Sequence, residues 1–278
     1  MSRLFEALQL SAQEQFGPSL VQLPATLPEL LASTKPIDRL AEARTLQESL
    51  PANSRLVAFR DEESLAAEKF RFLAVRLRYL QQRHPLKKLL VTSAVSEEGK
   101  SFVSMNLAVT LARKQRQKVL LMEGDLRRPG ISPELGLGHL PGLCECLANE
   151  HDPLSYIVHL QNARTWFMPA GTPPENPLEL MQSRRLPEFT SQIMTWFDWV
   201  IIDSPPLLPL ADTTVWSRIA DGILLVVREG RTERGPLKRG LDNLGKADLV
   251  GVVVNDCSDV DQTNYYQRYG PLAVTRSE

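Results

Sequence analysis

The stretch Leu89-Leu-Val-Thr-Ser-Ala-Val-Ser-Glu-Glu-Gly99-Lys100-Ser101-Phe-Val103 decides the fold. A short apolar run, Leu89 to Thr92, passes into a small polar loop, and beyond it Val103, Leu107, Ala108 and Leu111 fall at helical spacing. Strand, loop and helix in that order let backbone N–H groups and the positive end of the helix cradle a phosphate. Lys100 can then reach the β and γ phosphates, and the Ser101 hydroxyl can bind magnesium. Ser96, Glu97, Glu98, Gly99, Lys100, Ser101 and Phe102 are the expected nucleotide contacts, with ATP and Mg2+ as the ligands. The loop departs from the strict spacing: Ala94 stands where the first glycine belongs, and Glu97 where a glycine would ease the turn. Two acidic side chains, Glu97 and Glu98, are thereby expected beside a polyanion.

Further apolar runs alternate with helix-length segments: Val119 to Met122, Trp166 to Met168, Trp199 to Ile202, Ile223 to Val227 and Val250 to Val254. Runs apolar on both faces are buried parallel strands, covered by helices on either side. The chain is therefore expected to be α/β, a doubly wound, mostly parallel sheet flanked by helices. Two of these strands end in acidic residues, the edge at which such sheets bind ligands. One is Leu120-Leu-Met-Glu123-Gly-Asp125-Leu-Arg-Arg-Pro129, the other Val200-Ile-Ile-Asp203-Ser-Pro-Pro206. Asp203 reads as the carboxylate opposite Ser101 that holds the magnesium shell, although an Asp after an apolar run is also a common helix cap. Glu123 or Asp125 would orient or deprotonate the group that attacks the γ-phosphate.

The 278 residues carry 32 basic and 33 acidic groups, a net charge of −1, so no general field gathers nucleic acid. No stretch approaches the roughly 20 apolar residues of a membrane helix, and residues 1–16 lack the core of a signal peptide. A cytoplasmic protein without its own membrane span is expected. Three cysteines, Cys144, Cys146 and Cys257, are too few and too odd for a disulfide framework and read as buried free thiols.

Residues 1–16 read as an amphipathic helix, 17–57 as a proline-rich linker with one short helix, 58–260 as the nucleotide-binding domain and 261–278 as a tail. Asn264-Tyr265-Tyr266-Gln-Arg-Tyr269-Gly270 concentrates tyrosines near a polar C-terminus. They are either phosphoacceptors within reach of a neighbour's site or half-buried packing residues.

These motifs together resemble the cytoplasmic bacterial tyrosine kinases of the capsular and exopolysaccharide type, relatives of the MinD and ParA ATPases. The likeness runs from about residue 55 to 270. Besides the elements above it includes Pro169-Ala-Gly-Thr-Pro-Pro-Glu-Asn-Pro177, Asp221-Gly-Ile-Leu-Leu-Val-Val-Arg228 and Gly251-Val-Val-Val-Asn255. The resemblance implies ATP-dependent autophosphorylation of Tyr265, Tyr266 and Tyr269 between subunits of a ring, controlling polymerisation and export of a surface polysaccharide. It also implies a membrane co-polymerase or adaptor as partner; the helix at residues 1–16 reads either as the element that docks on it or as a helix packed on the domain. Asn255 is read either as the amide that recognises adenine or as a turn former, and Arg127 and Arg128 either as phosphate or interface contacts or as surface charges.

Three departures from the family pattern stand out: Glu123 replaces an aspartate, Ser96-Glu97 replaces a Pro-Gly pair, and Glu68, Arg71 and Ala74 replace Glu, Arg and Arg on the helix tied to ring assembly. Two other readings follow from them, an ATPase switch that leaves tyrosine unmodified and a non-catalytic nucleotide-binding regulator.

Overall fold

The computed structural model describes residues 39–47, 51, 54–113, 117–149, 151–208, 211–244 and 248–257. The amphipathic helix expected at residues 1–16 and the tyrosine tail from 261 lie outside them. Eight strands build one sheet among the described residues: β1 Arg44–Leu46, β2 Lys88–Ser93, β3 Val119–Glu123, β4 Val158–Leu160, β5 Thr165–Met168, β6 Trp199–Asp203, β7 Gly222–Arg228 and β8 Leu249–Asn255. Their order is β1-β4-β5-β3-β6-β2-β7-β8, every neighbouring pair parallel except β4 with β5. The six apolar runs of the sequence are all strands. β4 is too short to show a pattern, and β1 lies within the segment read as linker, with Leu40 and Leu56 buried nearby in sequence.

Nine helices are described: α1 Val57–Arg60, α2 Leu65–Gln81, α3 Lys100–Arg113, α4 Ile131–Glu134, α5 Leu143–Ala148, α6 Pro177–Met181, α7 Arg185–Ile193, α8 Asp212–Ile219 and α9 Arg234–Leu244. α2 begins where the Ser64 hydroxyl accepts the Ala67 N–H at 3.2 Å. It buries Ala67, Phe70, Ala74 and Leu77 on one face. These pack with α3 and with Leu89, Val91, Leu121 and Ile201 of the sheet. The opposite sheet face presents Leu90, Met122, Val200 and Ile202 to α5, α7 and Trp216 of α8. Cys144 and Cys146 belong to this second core, where burial pushes both thiols up to about 12.

α3, the helix that follows the phosphate loop, is sandwiched between sheet and α2, and every residue from Val103 to Ala112 is buried. Its Asn106 would be an orphan polar group there. Instead its Oδ1 accepts the Ala58 N–H at 2.9 Å and its Nδ2 donates to the Arg55 carbonyl at 3.1 Å, stapling the segment before α2 to the loop helix.

Ala74, where the family pattern calls for arginine, is fully buried. The Glu68–Arg71 pair remains at the surface, with Arg71 also donating to the Glu62 carbonyl at 2.6 Å. Ala74→Arg restores the charge spacing but places a cation in the core. It is expected to cost on the order of 3–5 kcal/mol, the scale of an uncompensated buried charge, seen as a lower urea midpoint with an unchanged slope.

Candidate nucleotide and phosphoryl-transfer site

β2 delivers the loop at the carboxyl edge of the sheet, between β6 and β7, where crossovers run in opposite directions and leave a crevice. The loop turns through two left-handed residues, Glu97 at φ 65° and Gly99 at φ 96°. Glu97 pays for the missing glycine with a strained backbone; it is exposed, as is Ser96, and lies on the rim of the phosphate space. Gly99 is required twice over, since a Cβ there would also fall 2.1 Å from Nδ2 of Asn255.

Glu98 does not face the phosphate space. Its side chain folds inward, 2% exposed, where one oxygen accepts the Val95 N–H at 3.0 Å and the other the Thr232 hydroxyl. It braces the loop, and one of the two negative charges expected beside the polyanion is thereby withdrawn. The space itself is a cavity of about 350 Å³ lined by Glu97, Gly99, Lys100, Ser101, Phe102 and two arginines that the sequence reading did not assign to the site, Arg55 and Arg228. Arg55 donates to Glu134 at 3.0 Å, while Arg228 pairs with Asp256 at 2.8 Å and reaches the Glu97 carbonyl at 3.4 Å. Arg55 left no motif to find, whereas Arg228 ends an apolar strand beside the loop and could have been found from that position.

Ser101, Asp203, Lys100 and Asp125 come together as expected from the sequence. The Ser101 hydroxyl donates to Asp203 Oδ2 at 2.7 Å, the Ser104 hydroxyl donates to Oδ1 at 3.1 Å, and Lys100 Nζ lies 3.3 Å from Asp125 Oδ2. Burial pushes the Asp203 carboxyl up to about 6, against the opposing pull of Lys100 and of the two serine hydroxyls.

Glu123 departs from its expected place. Both of its oxygens are committed to backbone and hydroxyl donors on neighbouring loops, and it is 1% exposed. A separate cavity of about 210 Å³, lined by Glu123, Pro129, Leu137 and Leu140, is formed without the phosphate loop.

Asn255 donates from Nδ2 to the Glu98 carbonyl at 3.0 Å, so its amide holds the loop. Arg127 forms a two-pronged pair with the buried Asp212, Nε to Oδ2 at 2.6 Å and a second guanidinium nitrogen to Oδ1 at 3.2 Å, which fixes the strand β3 edge to α8 within one chain. Arg128 is exposed. Tyr265, Tyr266 and Tyr269 fall outside the described residues.

A Gly-Lys-Ser loop between a central strand and a buried helix, with an aspartate from the next strand on the serine hydroxyl, defines a P-loop nucleotide-binding protein. No protein-family profile matches the chain. It is 30% identical over 217 residues to the tyrosine-protein kinase YwqD of Bacillus subtilis (strain 168), covering 77% of this chain and 91% of that one. Its fold superposes on the kinase domain of Escherichia coli tyrosine kinase ETK with a TM-score of 0.70 at 27% identity, covering 77% of this chain and 83% of that one. A more distant likeness, in fold alone, is to cobyrinic acid a,c-diamide synthase from Mycobacterium smegmatis with bound ATP analog and magnesium, at a TM-score of 0.52 and 20% identity over 61% of this chain and 74% of that one. The chain belongs to the bacterial tyrosine-protein kinases.

A raised carboxyl has a definite sign in stability. Between its unfolded value of 3.8 and its folded value of about 6, Asp203 binds its proton more tightly in the folded chain. Without metal, the protein is therefore expected to lose stability from this group as pH rises through that window, by on the order of 3 kcal/mol. Asp203→Asn should flatten that part of the curve, which urea unfolding from pH 4 to 7 in the presence of a chelator will register.

Proposed function

We propose that this chain is an ATP- and magnesium-dependent protein-tyrosine autokinase whose acceptors are Tyr265, Tyr266 and Tyr269. The observation that carries the reading is the convergence of Lys100, Ser101, Asp203 and Asp125 at the carboxyl edge of the central strands, in a chain of this family. The residues suit the ligands. The serine hydroxyl and buried carboxylate oxygens are hard donors of the kind magnesium takes, and three cations line the adjoining cavity. Magnesium held by Ser101 and Asp203 would supply charge neutralisation on the transferring phosphate. The loop N–H groups and Lys100 would hold the β and γ phosphates, and Arg55 and Arg228 would add positive charge along the cavity.

In the transfer, the tyrosine oxygen bonds to the γ-phosphorus as the bond from that phosphorus to the β–γ bridging oxygen breaks, leaving ADP. The phenol proton passes to a carboxylate or to water, and Asp125, set against Lys100, is the group assigned to orient that hydroxyl. Each new phosphate adds close to two negative charges to the tail at neutral pH, enough to drive it from an acidic neighbour or toward a cationic one.

The proposal extends to work at the cytoplasmic face of a membrane, with a polysaccharide co-polymerase or adaptor as partner and polysaccharide assembly as the process controlled. None of the described helices is long and apolar enough to cross a membrane, so a recruiting partner fits this reading. Ring assembly is proposed with a surface other than an arginine at position 74, since that position belongs to the core.

Wild type, Lys100→Ala and Tyr265/Tyr266/Tyr269→Phe proteins incubated with ATP and magnesium will test this by mass-spectrometric mapping of phosphotyrosine. Phosphate is expected on the wild-type tail, with a rate on the order of 100-fold or more lower in Lys100→Ala. Phosphate release without phosphotyrosine in the wild type would favour an ATPase switch instead.

A further inference from the structure

Glu123 and Asp203 occupy paired positions on adjacent parallel strands, so their side chains leave the same face of the sheet. One carries the hydroxyls of the phosphate-loop helix, and the other does something different. Glu123 Oε1 accepts the Ile131 N–H at 2.6 Å and the Ser132 N–H at 3.4 Å, while Oε2 accepts the Ser132 hydroxyl at 3.0 Å and the Ala170 N–H at 3.2 Å. Four donors from two separate loops exhaust the acceptor capacity of a carboxylate. None of them belongs to the phosphate loop.

These contacts need the length of a glutamate. The carboxylate must span from the end of β3 to residues 131 and 132, across the loop that contains Asp125, and at the same time to the turn after β5. An aspartate at position 123 would be one methylene short and could satisfy one loop or the other, but would leave buried N–H groups unpaired. The loop enclosed by the clamp, 124–130, is otherwise held by Leu126, buried in the second core, by the Lys100–Asp125 and Arg127–Asp212 pairs, and by hydrogen bonds from the Gly124 N–H to the Asp203 carbonyl at 2.7 Å, from Trp216 Nε1 to the Gly124 carbonyl at 3.0 Å and from the Arg128 N–H to Asp125 Oδ1 at 3.0 Å. The clamp closes the far end of this loop, and Asp125 sits within it.

We propose that Glu123 is a positioning residue that clamps residues 131–132 and Ala170, and that it acts on phosphoryl transfer only by fixing Asp125 against Lys100. In this chain the work of two neighbouring acidic positions is divided: the longer acid has become a brace, and the shorter one keeps the place beside the lysine. The kinetic part of the inference rests on the tyrosine-kinase reading above, whereas the clamp itself does not.

The two assignments rank the same variants in opposite orders. A carboxylate that took part in the chemistry would be disabled by Glu123→Gln and preserved by Glu123→Asp. A clamp is kept at one end by Glu123→Gln, whose single carbonyl oxygen still reaches the Ile131 and Ser132 N–H groups while its NH2 faces the Ala170 N–H and can donate only to the Ser132 hydroxyl; it is broken at both ends by Glu123→Ala and left one methylene short by Glu123→Asp. The experiment measures three things on full-length protein: hydrogen exchange of the Ile131, Ser132 and Ala170 amides, affinity for a fluorescent ATP analogue, and tyrosine phosphorylation at saturating ATP.

For Glu123→Gln, wild-type protection is expected at Ile131 and Ser132 and loss of protection at Ala170, with a rate within about tenfold of wild type because the end of the loop that carries Asp125 stays held. For Glu123→Asp and Glu123→Ala, protection should be lost and the rate should fall on the order of 100-fold, the penalty of roughly 1 Å of misplacement, while analogue affinity stays within about threefold. Asp125→Asn should lose the rate with those three amides still protected. Full protection in Glu123→Asp, or an inactive Glu123→Gln with Ile131 and Ser132 still protected, would overturn the proposal. If the wild type forms no phosphotyrosine, the tyrosine-kinase reading fails, and the exchange data still decide for or against the clamp.

Discussion

Asp203 carries its carboxylate at the end of the strand beside the one that feeds the phosphate loop, 1% exposed, with the hydroxyls of Ser101 and Ser104 turned onto its two oxygens. A buried charge is tolerated only when such donors surround it, so the position of α3 is tied to the sheet at the point where the loop ends. Much of the rest follows from that tie. α3 can be apolar along nearly its whole length because its first turn is fixed by polar contacts and the remainder is free to pack. The packing of α2 over it, the stapling of Ala58 and Arg55 by Asn106, and the placement of Arg55 at the cavity wall all depend on where α3 lies.

A second feature of this edge is that three of its glutamates, Glu98, Glu123 and Glu145, face inward, while Glu97 stays exposed. Glu98 holds Val95 and Thr232, Glu123 holds Ile131, Ser132 and Ala170, and Glu145 accepts the N–H groups of Gly142 and Thr172 at 2.7 and 2.8 Å. Each carboxylate collects backbone donors from a loop that has no strand or helix partner for them. Lys100, Arg55 and Arg228 meanwhile line the cavity. A chain with a net charge of −1 thus leaves three cations against one acid, Glu97, on the wall of its phosphate space by turning Glu98 into a brace.

The sheet was legible because buried parallel strands are apolar on both faces, and five of the eight are; β8 is apolar as well but lies at the sheet edge with Leu249, Val252 and Val254 exposed, against the expectation of burial. β4 and β1, of three residues each, are strands only because their neighbours pair with them, and no local pattern marks them. Ser101, Lys100, Asp125 and Asp203 could be read from spacing and strand ends alone, since chain order at a sheet edge determines position in space. What a side chain does with its reach could not be read in that way. Glu98 and Glu123 look like Glu97 in sequence, yet two are braces and one is exposed, and the difference lies in amide and hydroxyl donors contributed by residues up to 134 positions away. Ala74 was legible as a departure from a pattern, while the reason, a position with no room for a longer side chain, lies in the packing of α2 on α3.

The contact between Asn255 and the loop at Glu98 and Gly99 joins the last described strand to the phosphate loop. The side chain of Asn255 fills the space a Cβ of residue 99 would need, and Asp256, immediately after it, anchors Arg228 on the cavity wall. Any fragment of this chain cut for crystallography or for a nucleotide-binding sensor must therefore run through Asp256. A fragment ending after β7 would retain the complete phosphate-loop sequence and lose the part that holds it in shape.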